Sequence, residues 1–335
     1  MKVAPAVSLL LLTTGALLGL GLLIGSFKTD FSVIQRALFH YDAGSSVHYA
    51  IVHLRLPRLL LAFLTGGALA FSGYLLQAMV NNPLADPYLL GTASGAALGA
   101  NLCLLGFLPI HFLGVYLPPV MAFAGALVVT FVVVSLAYQQ GQVIPSQLLL
   151  AGVALSSLLT ACLSLLTFLS ESEGQSFRSI VAWTIGGFER AQWADLPALA
   201  LVLLAVTLVF SFLHKQLTLL LLGESRAYHL GLRLGRLRWG ILVAASLATA
   251  TAVALSGPIG FVGLLVPHFV RAVFGVTSPP NILFTVWLGG NFALACDLIA
   301  RLLLPPAGLP VGIVTSFVGI PFFLYLLWKK NYRFG

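Results

Sequence analysis

The sequence predicts an all-α, polytopic integral membrane protein with about ten transmembrane helices. Three observations predict it. Hydrophobic residues make up 59% of the 335 and charged residues only 8%, against about 25% charged in an average soluble domain. Mean hydropathy is +1.03, and a water-soluble fold of this length could not cover its surface with so few charges. The apolar residues also fall into repeated runs of roughly 20, the length that crosses a bilayer core.

The runs are 4–26, 57–80, 88–107, 115–137, 146–169, 193–213, 237–256, 259–274, 281–302 and 311–328. The eighth is short and opens at Gly257-Pro258. Such breaks are tolerated where neighbouring helices satisfy the freed backbone groups. The remainder suffices only for loops and short interfacial helices, so residues 1–335 are expected to form one membrane domain. Lys2 precedes an apolar stretch from Val3 to Ile24. This exceeds the roughly 7–15 apolar residues of a signal peptide, so an uncleaved first span is expected. The stretch from Lys28 to Val52 is comparatively polar and holds a possible short surface helix, Ser32 to Phe39. Gly66-Gly67, Ala70 and Gly73, then Gly91, Gly95 and Gly99, place small residues at the spacing that lets helices pack closely in lipid.

The net charge is +8. The basic residues stand between apolar spans and form no run long enough for a nucleic-acid tail, so orientation and partner docking are the readings they support. With both termini on the cytoplasmic side, ten of the 17 Lys and Arg lie inside, with dense clusters at 215–238 and 329–333, and seven lie outside. Cys103, Cys162 and Cys296 sit in apolar surroundings without CxxC or Cys/His spacing and are expected to be ordinary buried thiols.

From Leu219 to Arg233 the chain leaves the membrane. Glu224 falls early in a short helical pattern and Gly231 suits its stop. A helix this short needs something to pack on, and the residues alone leave open a cytoplasmic protein or the lipid headgroups. Arg55 and Arg58 are one turn apart and share a face in a helix. They suit either headgroup snorkelling or docking of carboxylates. Asp297 and Arg301, at i and i+4, suit an intrahelical pair that lowers the cost of charge near lipid. His268 and Arg271, at i and i+3, suit a span end against headgroups or a loop carbonyl. Ser156, Ser157, Thr160 and Ser164 recur along one span and suit either a wet path or helix packing.

Several segments together resemble the FecCD family of permeases, which belong to the type II ABC importers and move iron–siderophores, haem or cobalamin. These are Arg55-Leu-Pro-Arg58, Gly66 to Gly73, Gln77 with Asn82-Pro-Leu-Ala-Asp-Pro87 and Leu90-Gly91, Leu148 to Leu155, Trp183 to Phe188, Gly257 to His268 with Phe269 and Arg271, Asp297 to Arg301, Leu309 to Thr315, and Gly319 to Phe323. They occur in family order over nearly the whole chain after about residue 54. The resemblance implies a homodimer in the bacterial inner membrane with cytoplasmic termini, two ATP-binding cassette subunits inside and a periplasmic substrate-binding protein outside. It implies that the 219–233 segment couples to the ATPases through Glu224, Arg226 and Gly231, and that Arg55, Arg58 and Arg301 dock the binding protein. It places a cytoplasmic gate at Pro145 and Ser146, where Pro145 departs from the small Thr/Ser pair common in the family; a simple turn is the alternative there.

No GxxxxGK[ST] segment is present, so ATP hydrolysis belongs to a partner. No catalytic constellation, cofactor motif or metal-ligand set stands out, and no enzyme activity is expected. The rival reading is an ion-gradient-driven secondary transporter. Such proteins place ionisable residues near mid-membrane, whereas the charges here fall at span ends. Iron chelates, haem, cobalamin and oxyanions share this pattern; an iron chelate is the expectation from the breadth of that branch of the family.

Overall fold

Each of the ten expected spans coincides with a helix in a computed structural model, which describes residues 3–25, 29–112, 115–139, 142–169, 180–181, 183–221, 223, 227, 229–276, 278–305 and 308–328. The described helices are α1 (Val3–Leu23), α2 (Phe31–Phe39), α3 (Ser46–Tyr49), α4 (Leu56–Val80), α5 (Thr92–Leu104), α6 (Leu117–Ala137), α7 (Pro145–Leu169), α8 (Leu196–Phe212), α9 (His214–Leu221), α10 (Leu234–Ser256), α11 (Val262–Phe274), α12 (Asn281–Leu303) and α13 (Val311–Trp328). A π-helical segment, Ala50–Arg55, joins α3 to α4, making one apolar rod over Ser46–Val80. Two small antiparallel hairpins join α5 to α6 and α6 to α7: β1 (His111–Phe112) with β2 (Val115–Tyr116), and β3 (Tyr138–Gln139) with β4 (Gln142–Val143). Nothing in the apolar periodicity signals them.

Helix boundaries follow local chemistry. Proline stands in the first turn of α4, α6 and α8, where its missing N–H has no intrahelical partner to lose. The third expected span, 88–107, becomes a 3₁₀ turn (Pro87–Leu90) and a 13-residue α5. The break is Gly91, at φ +73°, a left-handed conformation glycine adopts without steric cost. Likewise α11 starts at Val262 because Phe261 is left-handed, at φ +69°. That is costly for a bulky residue. A Cβ on Gly319 would collide with the Phe261 ring, so the bare glycine on α13 makes its room.

Among the described residues, seven helices are long and apolar enough to cross a membrane. They differ in how much of themselves they bury. The apolar stretch of α4 is 83% buried and that of α7 only 11%, so α4, with α10 and α12, is the centre, while α1, α7 and α8 form the perimeter. Small residues set the spacing of the centre. A Cβ on Gly66 would strike the Gly289 carbonyl, one on Gly73 the Gly263 carbonyl, and one on Gly95 the Gly125 carbonyl. Backbones touch there, as the small-residue spacing predicts, and such contact supplies the dispersion energy that hydrophobic exclusion cannot supply in lipid.

Gly66→Val is expected to lower the thermal unfolding midpoint in detergent sharply, at a cost of about 1–3 kcal/mol or more, since a backbone carbonyl cannot step aside. Gly15→Ala, whose Cβ would meet nothing within 4 Å, should leave the midpoint unchanged.

Candidate functional site

At one end of the bundle five charged side chains from four segments converge. Asp297, on α12, is wholly buried. Its Oδ1 accepts from Nε and Nη2 of Arg58 on α4, at 2.9 and 2.8 Å. Its Oδ2 lies 2.9 Å from Nη2 of Arg301, one turn along α12, an ion contact outside hydrogen-bond alignment. Arg58 Nη2 also donates to Oε1 of Glu189 at 3.2 Å, and that carboxylate is 45% exposed. Arg301 Nη1 donates to the carbonyls of Gly21 and Ile24 at 3.0 and 3.1 Å. Arg55 Nη1 donates to the Leu22 carbonyl at 2.5 Å and to Thr29 Oγ1 at 3.0 Å.

The last carbonyls of α1 have no intrahelical partner and carry the negative end of the helix dipole. No basic residue stands in the last turn of α1; Arg55 and Arg301 supply the cations from other helices. Three guanidiniums against two carboxylates leave the cluster one positive charge in excess. Arg55, Arg58 and Arg301 are thus brought together as the sequence grouped them, but mostly inward. Asp297 pairs with Arg301 as its spacing predicts. The cross-helix bond to Arg58 and the contribution of Glu189 were not read from the sequence. A usable signal existed: Asp297 is one of only two carboxylates within the expected spans, the other being Asp195, and a buried carboxylate demands more than one donor.

Further from this cluster the family-like segments interlock. Gln77 Nε2 donates to the carbonyls of Gly263 and Leu264 at 3.1 and 3.2 Å. Its Oε1 accepts from Arg271, whose guanidinium carbon lies 5.4 Å from the centre of the Tyr74 ring. Arg271 therefore turns inward onto α4 and away from the headgroups. The Tyr88 hydroxyl donates to the Ile259 carbonyl at 3.0 Å and accepts from the Ile259 N–H at 2.7 Å.

At the opposite end, Glu224 and Arg226 lie outside the described residues. Gly231 has φ +82°, and the Leu232 N–H donates to the Ala227 carbonyl at 3.0 Å. That six-to-one bond around a left-handed glycine is the Schellman stop the sequence predicts. Pro145 is the first residue of α7, directly after the β3–β4 hairpin, and Ser146 beside it is exposed. On the same helix the exposed hydroxyls of Ser157, Thr160 and Ser164 each donate to the carbonyl four residues back. Ser156 instead meets Ser94 of α5, Oγ to Oγ at 3.2 Å.

A many-helix membrane protein with a charged cluster at one end and a short glycine-stopped helical segment at the other fits the architecture of a transport permease. The model of the FecCD transport family matches residues 10–329, and the chain belongs to that family. It is 35% identical to the hemin transport system permease of Yersinia pestis, covering 90% of this chain and 89% of that one. It is 36% identical to the iron(3+) dicitrate transport permease of Escherichia coli K12, covering 99% and 100%. It is 38% identical to a cobalamin import permease of Halobacterium salinarum, covering 90% and 79%. A solved ABC transporter described as of metal-chelate type, in an inward-facing conformation, superimposes with a TM-score of 0.82 at 30% identity, covering 96% of this chain and 97% of that one.

Asp297→Asn leaves Arg58 and Arg301 without their buried carboxylate and is expected to cost about 3–5 kcal/mol of folding stability, read by chemical or thermal unfolding in detergent. Glu189→Gln, at the exposed edge, is expected to cost no more than about 1 kcal/mol.

Proposed function

We propose that this chain is the membrane-spanning permease subunit of an ATP-driven importer that carries an iron chelate, haem or cobalamin into the cytoplasm. The single observation that carries the reading is the family match over residues 10–329, joined to relatives that transport hemin, iron(3+) dicitrate and cobalamin. The chain works as a homodimer in the bacterial inner membrane, with both termini cytoplasmic. The sparsely buried face of α7 supports a partner protomer there, and its exposed hydroxyls support a wet path along the two-fold axis. Pro145 and Ser146, at the cytoplasmic start of α7, serve as the inner gate.

A periplasmic binding protein docks at the arginine end. The cluster's one excess positive charge favours acidic residues on that partner, and charge-assisted pairs fix its orientation. Two ATPase subunits take the opposite end through the segment carrying Glu224, Arg226 and Gly231. Their closure on ATP pushes that segment, and alternating access follows. No bond of the cargo is made or broken by this chain.

Reconstitution with ATPase and binding protein in proteoliposomes tests the reading. Uptake of at least one labelled cargo among a ferric siderophore, haem and cobalamin should require ATP and survive collapse of proton and sodium gradients. Uptake without ATP that vanishes with the gradient would identify an ion-coupled carrier instead.

A further inference from the structure

At the end of the bundle opposite the arginine cluster, a cavity of about 400 Å³ opens between the end of α8, α9 and the first two turns of α10. Its polar wall holds Gln216, Arg233 and Arg236, and its apolar wall holds Phe210, Leu213 and Gly240. Both arginines are exposed. No carboxylate stands among the described residues from 196 to 256, and the described ion pairs all belong to the other end of the molecule. The described wall of the cavity thus carries two guanidiniums and no carboxylate.

Its depth is marked by aromatic residues. Trp239, one turn along α10, is 42% exposed and its ring centre lies 6.0 Å from that of Tyr138. Exposed Trp and Tyr collect at the membrane–water boundary. On α8, Leu208, Val209 and Phe212 are exposed apolar residues that suit the hydrocarbon layer. The cavity therefore straddles the headgroup layer and the acyl layer. Its floor is also left open by glycine. A Cβ on Gly240 would meet only Phe210 Cζ, at 3.9 Å. That position could have carried a side chain and does not.

We propose that this cavity binds an anionic phospholipid of the adjoining leaflet. Two guanidiniums and the Gln216 amide offer donors to the phosphate, a geometry arginine suits through its planar fork. The first turn of α10, where Arg233 as N-cap makes no side-chain cap, adds the positive dipole end. The first carbons of an acyl chain lie on Phe210, Leu213 and the bare Gly240 position. The inference needs the chain to reside in a bilayer, and it touches the importer reading where Gly231, Leu232 and Arg233 of the wall belong to the 219–233 segment proposed to meet the ATPases.

The test is thermal unfolding of the purified full chain in detergent, titrated with phosphatidylglycerol, phosphatidylcholine or inorganic phosphate. Phosphatidylglycerol should raise the midpoint at a concentration at least tenfold below that needed with phosphatidylcholine, and inorganic phosphate should not raise it. Gly240→Leu, which fills the apolar part without touching a charge, and the pair Arg233→Gln with Arg236→Gln, which removes the headgroup donors, should each abolish the preference while keeping the lipid-free midpoint. Equal response to both lipids, a preference that survives either variant, or a response reproduced by inorganic phosphate alone would overturn the proposal. Displacement of the bound lipid by a purified ATPase subunit would assign the cavity to that protein and overturn it as well.

Discussion

The buried carboxylate of Asp297 is the interaction on which the arginine end of the molecule depends. It stands on the central helix α12 with no exposure to solvent, in surroundings where a lone charge would cost several kcal/mol. Arg58 answers it from α4 and Arg301 from its own helix. Once neutralised by this carboxylate, Arg301 can spend its remaining donors on the carbonyls that end α1, and Arg55 completes that cap from the π-helical segment. Four segments of the chain are fixed by one acid. Glu189, at the rim, is the half-exposed member of this arrangement.

The centre of the bundle is held by different physics. Lipid offers no hydrophobic drive between helices, so close backbone approach and internal hydrogen bonds take over. Gly66 against Gly289 and Gly73 against Gly263 bring α4 onto α12 and α11. Gln77 and Tyr88 then satisfy backbone groups around the irregular 257–264 stretch. Backbone contact ties α4, α11 and α12 into one block, while α7, at the rim, leaves most of its surface exposed.

Much of the fold was legible because span length and small-residue spacing are local signals. Each of the ten apolar runs holds a helix, and the Gly95–Gly99 spacing marks the face on which α5 meets α6. Boundaries shifted where a single residue chose its backbone region: Gly91 shortened the third span, and the left-handed Phe261 delayed the eighth. The site was legible only in part. Spacing along one helix shows Asp297 with Arg301, and it shows a glycine stop at Gly231. It cannot show Arg58 with Asp297, 239 residues apart, nor Gln77 with Arg271, 194 apart, because these pairs exist only after the helices pack. Their common sign in the sequence is a polar side chain inside an apolar run, which must find a partner somewhere.

The central claim is that this chain is one part of an ATP-powered assembly and hydrolyses nothing itself. Purification of the tagged chain from native membranes in mild detergent, with mass spectrometry of what accompanies it, tests this most directly. The account predicts an ATP-binding cassette subunit in about equal amount, with any binding protein that follows carrying iron, haem or cobalamin. A chain that purifies alone every time, and that transports its cargo with no ATPase present, would contradict it.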